Sequence, residues 1–382
     1  MKKTELIFGF SSFYVLGYSL IVTSTLIPII EKTYNIDHFL VGLSFSIGSI
    51  AFLLSALLYG YLLEKFNAFK IILSAILIFL TGNMLMFLMN SYWLMVLGIF
   101  FINFGGGALE ISIPFLIGVT GNGKKGRILN LLHSAFAIGA LSSPVFSSLI
   151  LKYTKYWKLS FLAGILLNII PLISLFLIKS FIESTHTNYL NKEKKSIKGI
   201  INFTFIILVL ALSFYVGYEM NFSSWISTFL YEFRNFSIST AALYPSFLWF
   251  GLFLGRTLFS KMPERYGYKK WLIITVLFSI LFSAFTIYVS KDVIISAIGT
   301  ILVGTAFATT YPTIQALIVE KYENNKGIAL SIASGGTSII SGGITYLIGY
   351  IGKLNGLLYS FFIVITINIL ELIIVFLINE KE

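Results

Sequence analysis

The sequence predicts an all-helical membrane protein whose chain crosses the bilayer twelve times. Hydrophobic residues make up 57% of the 382 residues and charged residues only 11%, whereas soluble domains average about 25% charged residues. Most apolar runs reach the length of about 20 residues that a helix needs to cross a hydrocarbon core. The pattern lacks the alternating segments of about ten residues that are typical of outer-membrane barrels.

The predicted spans follow one another with mostly short connections. They are 6–30, 39–63, 69–89, 92–119, 127–152, 157–178, 200–230, 238–260, 271–289, 292–319, 326–350 and 354–378. The first run follows two lysines and is longer than the apolar region of about 7–15 residues in a cleaved signal peptide. We therefore expect it to be a retained span.

A longer polar segment separates six spans from six and predicts two halves, 1–178 and 200–382, joined by a linker over 179–199. The halves repeat, because Glu64–Lys70 (EKFNAFK) aligns with Glu264–Lys270 (ERYGYKK) at an offset of 200. Six spans lie between equivalent positions, so both halves would insert the same way up. Parallel repeats of this kind predict a substrate site near the bilayer midplane, between the halves.

The net charge of +11 does not indicate a nucleic-acid partner, because Lys and Arg are concentrated in short loops between apolar spans. Their distribution follows the positive-inside rule if both termini and the linker are cytoplasmic. We therefore expect a multi-pass protein of the cell membrane with both termini in the cytoplasm. We also expect it to be a monomer.

The composition argues against an enzyme and against a bound cofactor or metal. The chain has no cysteine, and its three histidines, His38, His133 and His186, are scattered. No glycine-rich phosphate loop, Ser-His-Asp set or metal signature is present. The sequence thus supports neither catalysis nor transport driven by ATP.

Glu110 is the first candidate for a working side chain. It follows three adjacent glycines, Gly105–Gly107, in an otherwise uncharged span. An acid inside a membrane segment costs about 2.5–3.5 kcal/mol on insertion scales, so Glu110 should face protein or a water-filled cavity. The glycines should let a neighbouring helix approach closely. The alternative is a structural acid that bonds to Asn130 or His133.

The connection between the second and third spans carries Gly60, Glu64, Lys65, Asn67 and Lys70. This stretch resembles the cytoplasmic signature of the major facilitator superfamily, with Glu in place of the usual Asp and Asn67 in place of the usual Gly. The resemblance implies a twelve-helix bundle of two six-helix halves. Because asparagine tolerates left-handed backbone, we expect a turn at Asn67. The alternative is positive-inside charge alone.

The second copy of this signature holds Glu264, Arg265 and Gly267. Acids and bases at such a helix corner can hold one side of a transporter closed. Arg256 lies in the preceding span, close to Lys261, and we expect a structural or gating role for it.

Three further stretches resemble the fucose permease branch, whose members are sugar–proton symporters. They are GGGALE at 105–110, RILNLLH at 127–133 with Gly139-Ala140, and YVGYE at 215–219 with Trp225. The resemblance implies that Glu110 takes part in proton coupling and in sugar binding. That branch also has an acid in the first span, whereas Leu6–Ile30 contains none. Glu219 in the seventh span can replace it, either as proton carrier or as substrate ligand.

Sugar sites combine apolar walls with a few placed polar groups. The predicted substrate-binding residues are Glu110, Asn130, His133, Glu219, Asn221, Trp225, Trp249, Tyr311 and Gln315. For Asn130 and His133, which lie near the cytoplasmic end of the fifth span, structural packing is an equal alternative.

The sequence therefore predicts a secondary transporter that carries a sugar or sugar-like solute together with protons. Its predicted partners are the solute, protons and the lipid bilayer. Export of lipophilic compounds is the first alternative, since an aromatic cavity suits it. A membrane sensor that does not transport is the second.

Overall fold

A computed structural model describes residues 3–63, 65–120, 125–154, 156–183, 201–322 and 326–379. Throughout these residues the ordered elements are helices. Their bounds are α1 Lys3–Thr25, α2 Ile27–Tyr34, α3 His38–Leu63, α4 Ala68–Leu88, α5 Tyr92–Thr120, α6 Lys125–Tyr153, α7 Leu159–Leu177, α8 Phe203–Phe233, α9 Ile238–Ala242, α10 Tyr244–Leu258, α11 Met262–Tyr266, α12 Tyr268–Ala284, a π-helix Phe285–Val289, α13 Val293–Phe307, α14 Thr310–Lys321, α15 Lys326–Asn355 and α16 Leu357–Leu377.

Each predicted span coincides with one helix or with two consecutive ones. In the described part of the chain, eleven helical segments are long and apolar enough to cross a membrane. The remaining predicted span, 326–350, lies within α15, a helix of 30 residues.

Prolines explain where three spans are interrupted. Pro28, Pro245 and Pro312 each lie in the first turn of a new helix, where an N–H would have no partner within that helix. The first span was predicted to continue to Ile30, but α1 ends at Thr25 and α2 begins at Ile27. Because α1 starts at Lys3, it also contains a buried acid, Glu5, which the predicted span left out.

The chain forms two compact units. The first consists of Met1–Leu26, Lys32–Asn35 and Ile47–Lys194, and the second of Ile27–Glu31, Ile36–Ser46 and Lys195–Glu382. The second unit thus contains two short segments that come from the first six spans by sequence. The domain boundaries proposed from the sequence, with the linker over 179–199, stay a prediction.

Local backbone geometry repeats with the sequence. Outside glycine, positive φ angles among the described residues occur at Asn35 (50°) and Asn235 (56°), which lie 200 positions apart. Both residues lie just after the end of a helix, where left-handed backbone stops the run, and asparagine tolerates this conformation. The same offset relates Tyr18 and Tyr218, which both use their hydroxyl in an interhelical hydrogen bond.

Candidate functional site

The three glycines before Glu110 let neighbouring helices approach α5 closely. A Cβ atom on Gly105 would lie 2.5 Å from the backbone nitrogen of Phe79 in α4. A Cβ on Gly107 would lie 2.4 Å from the carbonyl oxygen of Phe52 in α3. Only glycine allows such distances, so the predicted close approach is present on two sides of the helix.

Glu110 lies one helical turn after Gly106 in this crowded part of the first unit. Its side chain is half-buried, and within the described residues no group hydrogen-bonds to its carboxylate. Pro114 also has no N–H to offer the Glu110 backbone carbonyl. A carboxylate in a membrane helix that has no hydrogen-bond donor from the protein can bind a proton or accept a hydrogen bond from a ligand hydroxyl.

The two residues proposed as structural partners of Glu110 are placed differently. The ring of His133 packs edge-on against Phe13, with centroids 5.5 Å apart. The side chain of Asn130 lies outside the described residues. The described contacts therefore do not pair His133 with Glu110.

Glu219 lies in α8 of the second unit and is 6% exposed. Tyr215, one turn earlier, and Arg256 of α10 both interact electrostatically with it. Glu371 of α16 is a further acid, only 1% exposed, whose ionised form Glu219 disfavours. The structure thus collects two acids and one guanidinium in the core of this unit, of which Glu371 was not among the predicted site residues.

Arg256 satisfies a backbone group that a proline leaves free. Pro312 cannot donate to the carbonyl of Ala308 four residues earlier, as a regular helix would require. The Nε–H of Arg256 donates to that Ala308 oxygen instead, at 3.2 Å. This contact supports the predicted structural role of Arg256, while its predicted role in gating remains a prediction.

Polar groups without a protein partner follow one face of α8. Asn221, Trp225 and Thr228 lie at positions i, i+4 and i+7, and each is at most 1% exposed. Within the described residues, Asn221 Oδ1, Trp225 Nε1 and Thr228 Oγ1 have no hydrogen-bond partner. The other end of the Asn221 amide is engaged, since Nδ2 donates to Gly217 O at 2.8 Å. Unpaired buried polar groups are costly, so these three atoms are candidates for hydrogen bonds to a polar ligand.

Two of the other predicted ligands in the second unit, Trp249 and Tyr311, have polar partners within the protein. Trp249 is buried and its Nε1 donates to Ser223 Oγ at 3.2 Å. The Tyr311 hydroxyl lies 3.4 Å from Ser334 Oγ. Gln315, one turn after Tyr311, is half-buried. We infer no ligand contact for these three from their geometry alone.

The first copy of the signature motif corrects one prediction. Glu64 lies outside the described residues. The chain turns at 65–66, but Asn67 has a φ of −54°, so the left-handed backbone expected for it is wrong; the residue is the N-cap of α4. Its Oδ1 accepts from the N–H groups of Phe69 and Lys70 at 3.0 and 3.3 Å, and this capping explains why asparagine suits the position.

Two other members of the first copy are placed as follows. Lys65 is exposed and hydrogen-bonds to the hydroxyl of Tyr61. Gly60 lies in the last turn of α3, where an added Cβ would lie 4.0 Å from Ile111, so a Cβ atom fits at this position.

In the second copy, Gly267 has a φ of 85° and joins α11 to α12. This left-handed angle explains the glycine, because other residues adopt it only with strain. Glu264 and Arg265 are exposed, and the Arg265 guanidinium lies 5.6 Å from the Tyr266 ring centroid.

Sequence reasoning missed one charged cluster in the second unit. His38, treated as an isolated histidine, lies between Glu31 and Glu232. Because Glu232 is 194 positions away in the chain, no local signal predicts this contact.

The comparisons with known proteins agree with this fold. A family model described as Major Facilitator Superfamily matches residues 7–325 and 248–382. The glucose/mannose transporter GlcP of Bacillus subtilis (strain 168) is 24% identical over 369 residues, which cover 92% of this chain and 88% of that protein.

Two solved structures have similar folds at low sequence identity. The crystal structure of a D-xylose-proton symporter superimposes with a TM-score of 0.82 at 15% identity, covering 97% of this chain and 96% of the other. That of a point mutant of the nucleoside transporter NupG gives 0.76 at 15% identity, covering 98% of each chain.

Proposed function

The chain belongs to the Major Facilitator Superfamily, and on that basis we propose that it is a secondary active transporter working by alternating access. Its solute is a sugar or a sugar-like small molecule, and protons accompany it. The similarity to a glucose/mannose transporter over most of both chains supports a hexose as first candidate. It also favours this proposal over the export of lipophilic compounds.

The stripe of Asn221, Trp225 and Thr228 is the observation that carries the sugar proposal. It offers an amide oxygen, an indole N–H and a hydroxyl, all buried and all without a partner in the described residues. A sugar hydroxyl both donates and accepts, so a polyhydroxylated ligand can satisfy all three groups. A lipophilic compound would leave them unpaired, at about 1–3 kcal/mol for each group.

Glu110 is the proposed coupling residue. It is the half-buried carboxylate of α5 for which the described residues supply no hydrogen bond. An ionised acid without partners is unfavourable in a membrane, so a proton or a solute hydroxyl stabilises it. Glu219 differs, because the Arg256 guanidinium interacts with it electrostatically. We therefore assign proton transfer to Glu110 and solute binding or structural support to Glu219.

Proteoliposomes containing a trapped pH dye test this proposal. Glucose or mannose added outside should acidify the lumen in vesicles with the wild-type protein. Glu110→Gln should abolish the acidification while labelled sugar still exchanges across the membrane. Glu320→Gln, which removes an exposed acid from α14, is the matched control and should behave as wild type. Unchanged acidification with Glu110→Gln would contradict the assigned role.

The orientation with both termini in the cytoplasm and the monomeric state belong to the same proposal. The absence of native cysteine allows single cysteines to be introduced at Ser91 and at Lys192. In intact cells an impermeant maleimide should label the first and not the second. Light scattering of the purified protein in detergent reports its oligomeric state.

A further inference from the structure

A three-residue cluster, which we name the His38 clamp, joins α2, α3 and α8. The His38 ring lies between two carboxylates, with Nδ1 2.7 Å from Glu31 Oε1 and Nε2 3.1 Å from Glu232 Oε2. Glu31 and His38 are 9% and 14% exposed at the side chain, whereas Glu232 is 38% exposed. All three residues belong to the second compact unit.

With both carboxylates ionised, the geometry of the clamp requires a doubly protonated imidazole. An ionised carboxylate only accepts hydrogen bonds, and a neutral imidazole has a single N–H to donate. Both short contacts are therefore made together only when His38 carries a positive charge. If His38 loses its proton, one carboxylate faces a nitrogen lone pair, and that contact becomes repulsive. Burial, moreover, raises the pKa of Glu31, which shows how poorly this position tolerates an uncompensated negative charge.

Among the residues that the structure describes, the other charged groups near the ring are Asp37, which directly precedes it, and Lys353 of α15. Lys353 Nζ lies 3.0 Å from Asp37 Oδ2. Burial alone would raise the pKa of Asp37, but the Leu40 N–H and Lys353 outweigh burial and hold the pKa below its usual range. Asp37 is therefore ionised and paired with Lys353 at neutral pH, and the two clamp carboxylates favour the protonated form of His38.

The clamp adjoins the proposed solute site. The edge of the His38 ring meets the Trp225 indole, with centroids 5.8 Å apart and an interplanar angle of 88°. By sequence, α3 belongs to the first six spans and α8 to the second six. Alternating access moves these two sets of helices relative to each other, so a contact that joins α2 and the start of α3 to α8 can control that movement.

We propose that His38 is a second proton-binding residue of the transport cycle, acting as a positioning residue. Protonated, it fastens α2 and the start of α3 to the end of α8 beside Trp225; deprotonated, it releases them. The proton-binding part stands on the clamp geometry alone, whereas its effect on transport rests on the proposed function. A metal ion fits less well, since one ion can bind only one of the two ring nitrogens.

Intrinsic fluorescence tests proton binding without any solute. An imidazolium quenches a tryptophan that it contacts, so the fluorescence of the wild-type protein should fall as pH decreases through the His38 titration. His38→Gln and Trp225→Phe should both remove this step. Lys353→Gln, which breaks the neighbouring ion pair and leaves the clamp intact, should retain it. A step that persists in His38→Gln, or that disappears with a chelator of divalent metals, would overturn the proposal.

Solute counterflow at equal pH on both sides of proteoliposomes tests the effect on transport. The wild-type rate should fall by about tenfold from alkaline to acidic pH, since a charged hydrogen bond is worth more than the roughly 1.4 kcal/mol that this factor represents. His38→Gln should be fast at every pH, and His38→Arg, which is always charged, slow at every pH. A pH profile unchanged by His38→Gln would exclude a role in transport. Absence of counterflow in the wild type at any pH would instead refute the proposed function and leave the fluorescence result standing.

Discussion

Replacing Arg256 with glutamine should destabilise the second unit by about 2–3 kcal/mol. The guanidinium supplies a charged hydrogen bond at 3.2 Å to the Ala308 carbonyl, which Pro312 leaves without its helical donor. Such a bond contributes about 1.5–3 kcal/mol. Arg256 also provides the counter-charge for the buried Glu219. At about 2 °C for each kcal/mol in a large chain, the melting temperature should fall by about 4–6 °C.

The two contributions of Arg256 can be separated by double-mutant cycles. Pro312→Ala restores an N–H that can donate to Ala308, so Arg256→Gln should cost less in that background. Glu219→Gln removes the buried charge, so in that background the cost should reduce to the lost hydrogen bond. Lys261→Gln, an exposed cation five residues further on, should leave the melting temperature unchanged.

The measurement is thermal unfolding of the purified protein in detergent, followed by tryptophan fluorescence. Interaction energies of about 0.5 kcal/mol or more are expected for residues that share a partner. If Arg256→Gln costs the same with Pro312 and with alanine at 312, the carbonyl is not what Arg256 stabilises. A variant as stable as wild type would refute both contributions.

Two further predictions concern packing and buried charge. Gly139→Ala should lower the melting temperature by several degrees, because its Cβ would lie 1.9 Å from the Tyr14 carbonyl oxygen and force α1 and α6 apart. Gly343→Ala is the matched control, because an added Cβ there has no atom within 4 Å. Equal effects of the two substitutions would contradict this reasoning. Glu371→Gln should leave the melting temperature nearly unchanged. The Glu371 side chain is 1% exposed, and its Oε1 has no partner in the described residues, so the acid is stable there only when it is uncharged. Glu371→Lys should prevent folding, measured as the yield of monodisperse protein, and a large loss of stability in Glu371→Gln would show that the ionised form is the native one.

Much of the fold could be predicted from the sequence, because the bilayer imposes a simple rule on it. Apolar runs of about 20 residues mark helices, and the family match and the similar folds confirm the predicted twelve-helix bundle. The first predicted span ended too late, since hydropathy does not register the break before Pro28. The glycine position of the signature predicts a turn near Asn67, which is present, but not that the Asn67 side chain caps α4.

The candidate site was only partly predictable. A single acid in an apolar span is visible in the sequence, so Glu110 and Glu219 could be selected without a structure. The electrostatic neighbours of Glu219 could not, because Arg256 and Glu371 lie on helices far along the chain. The unpaired atoms of the α8 stripe are likewise visible only when every hydrogen-bond partner has been placed.

By itself, the sequence determined which segments are helical, that the chain is built from repeated halves, and that Glu110 is an isolated acid in an apolar span. These properties depend on composition and spacing, because each segment enters the membrane according to its own length and hydrophobicity. Only the tertiary structure decided that Arg256 donates a hydrogen bond to the Ala308 carbonyl and that His38 lies between Glu31 and Glu232. Such pairings depend on how helices pack against one another, which the order of residues along a single helix does not specify.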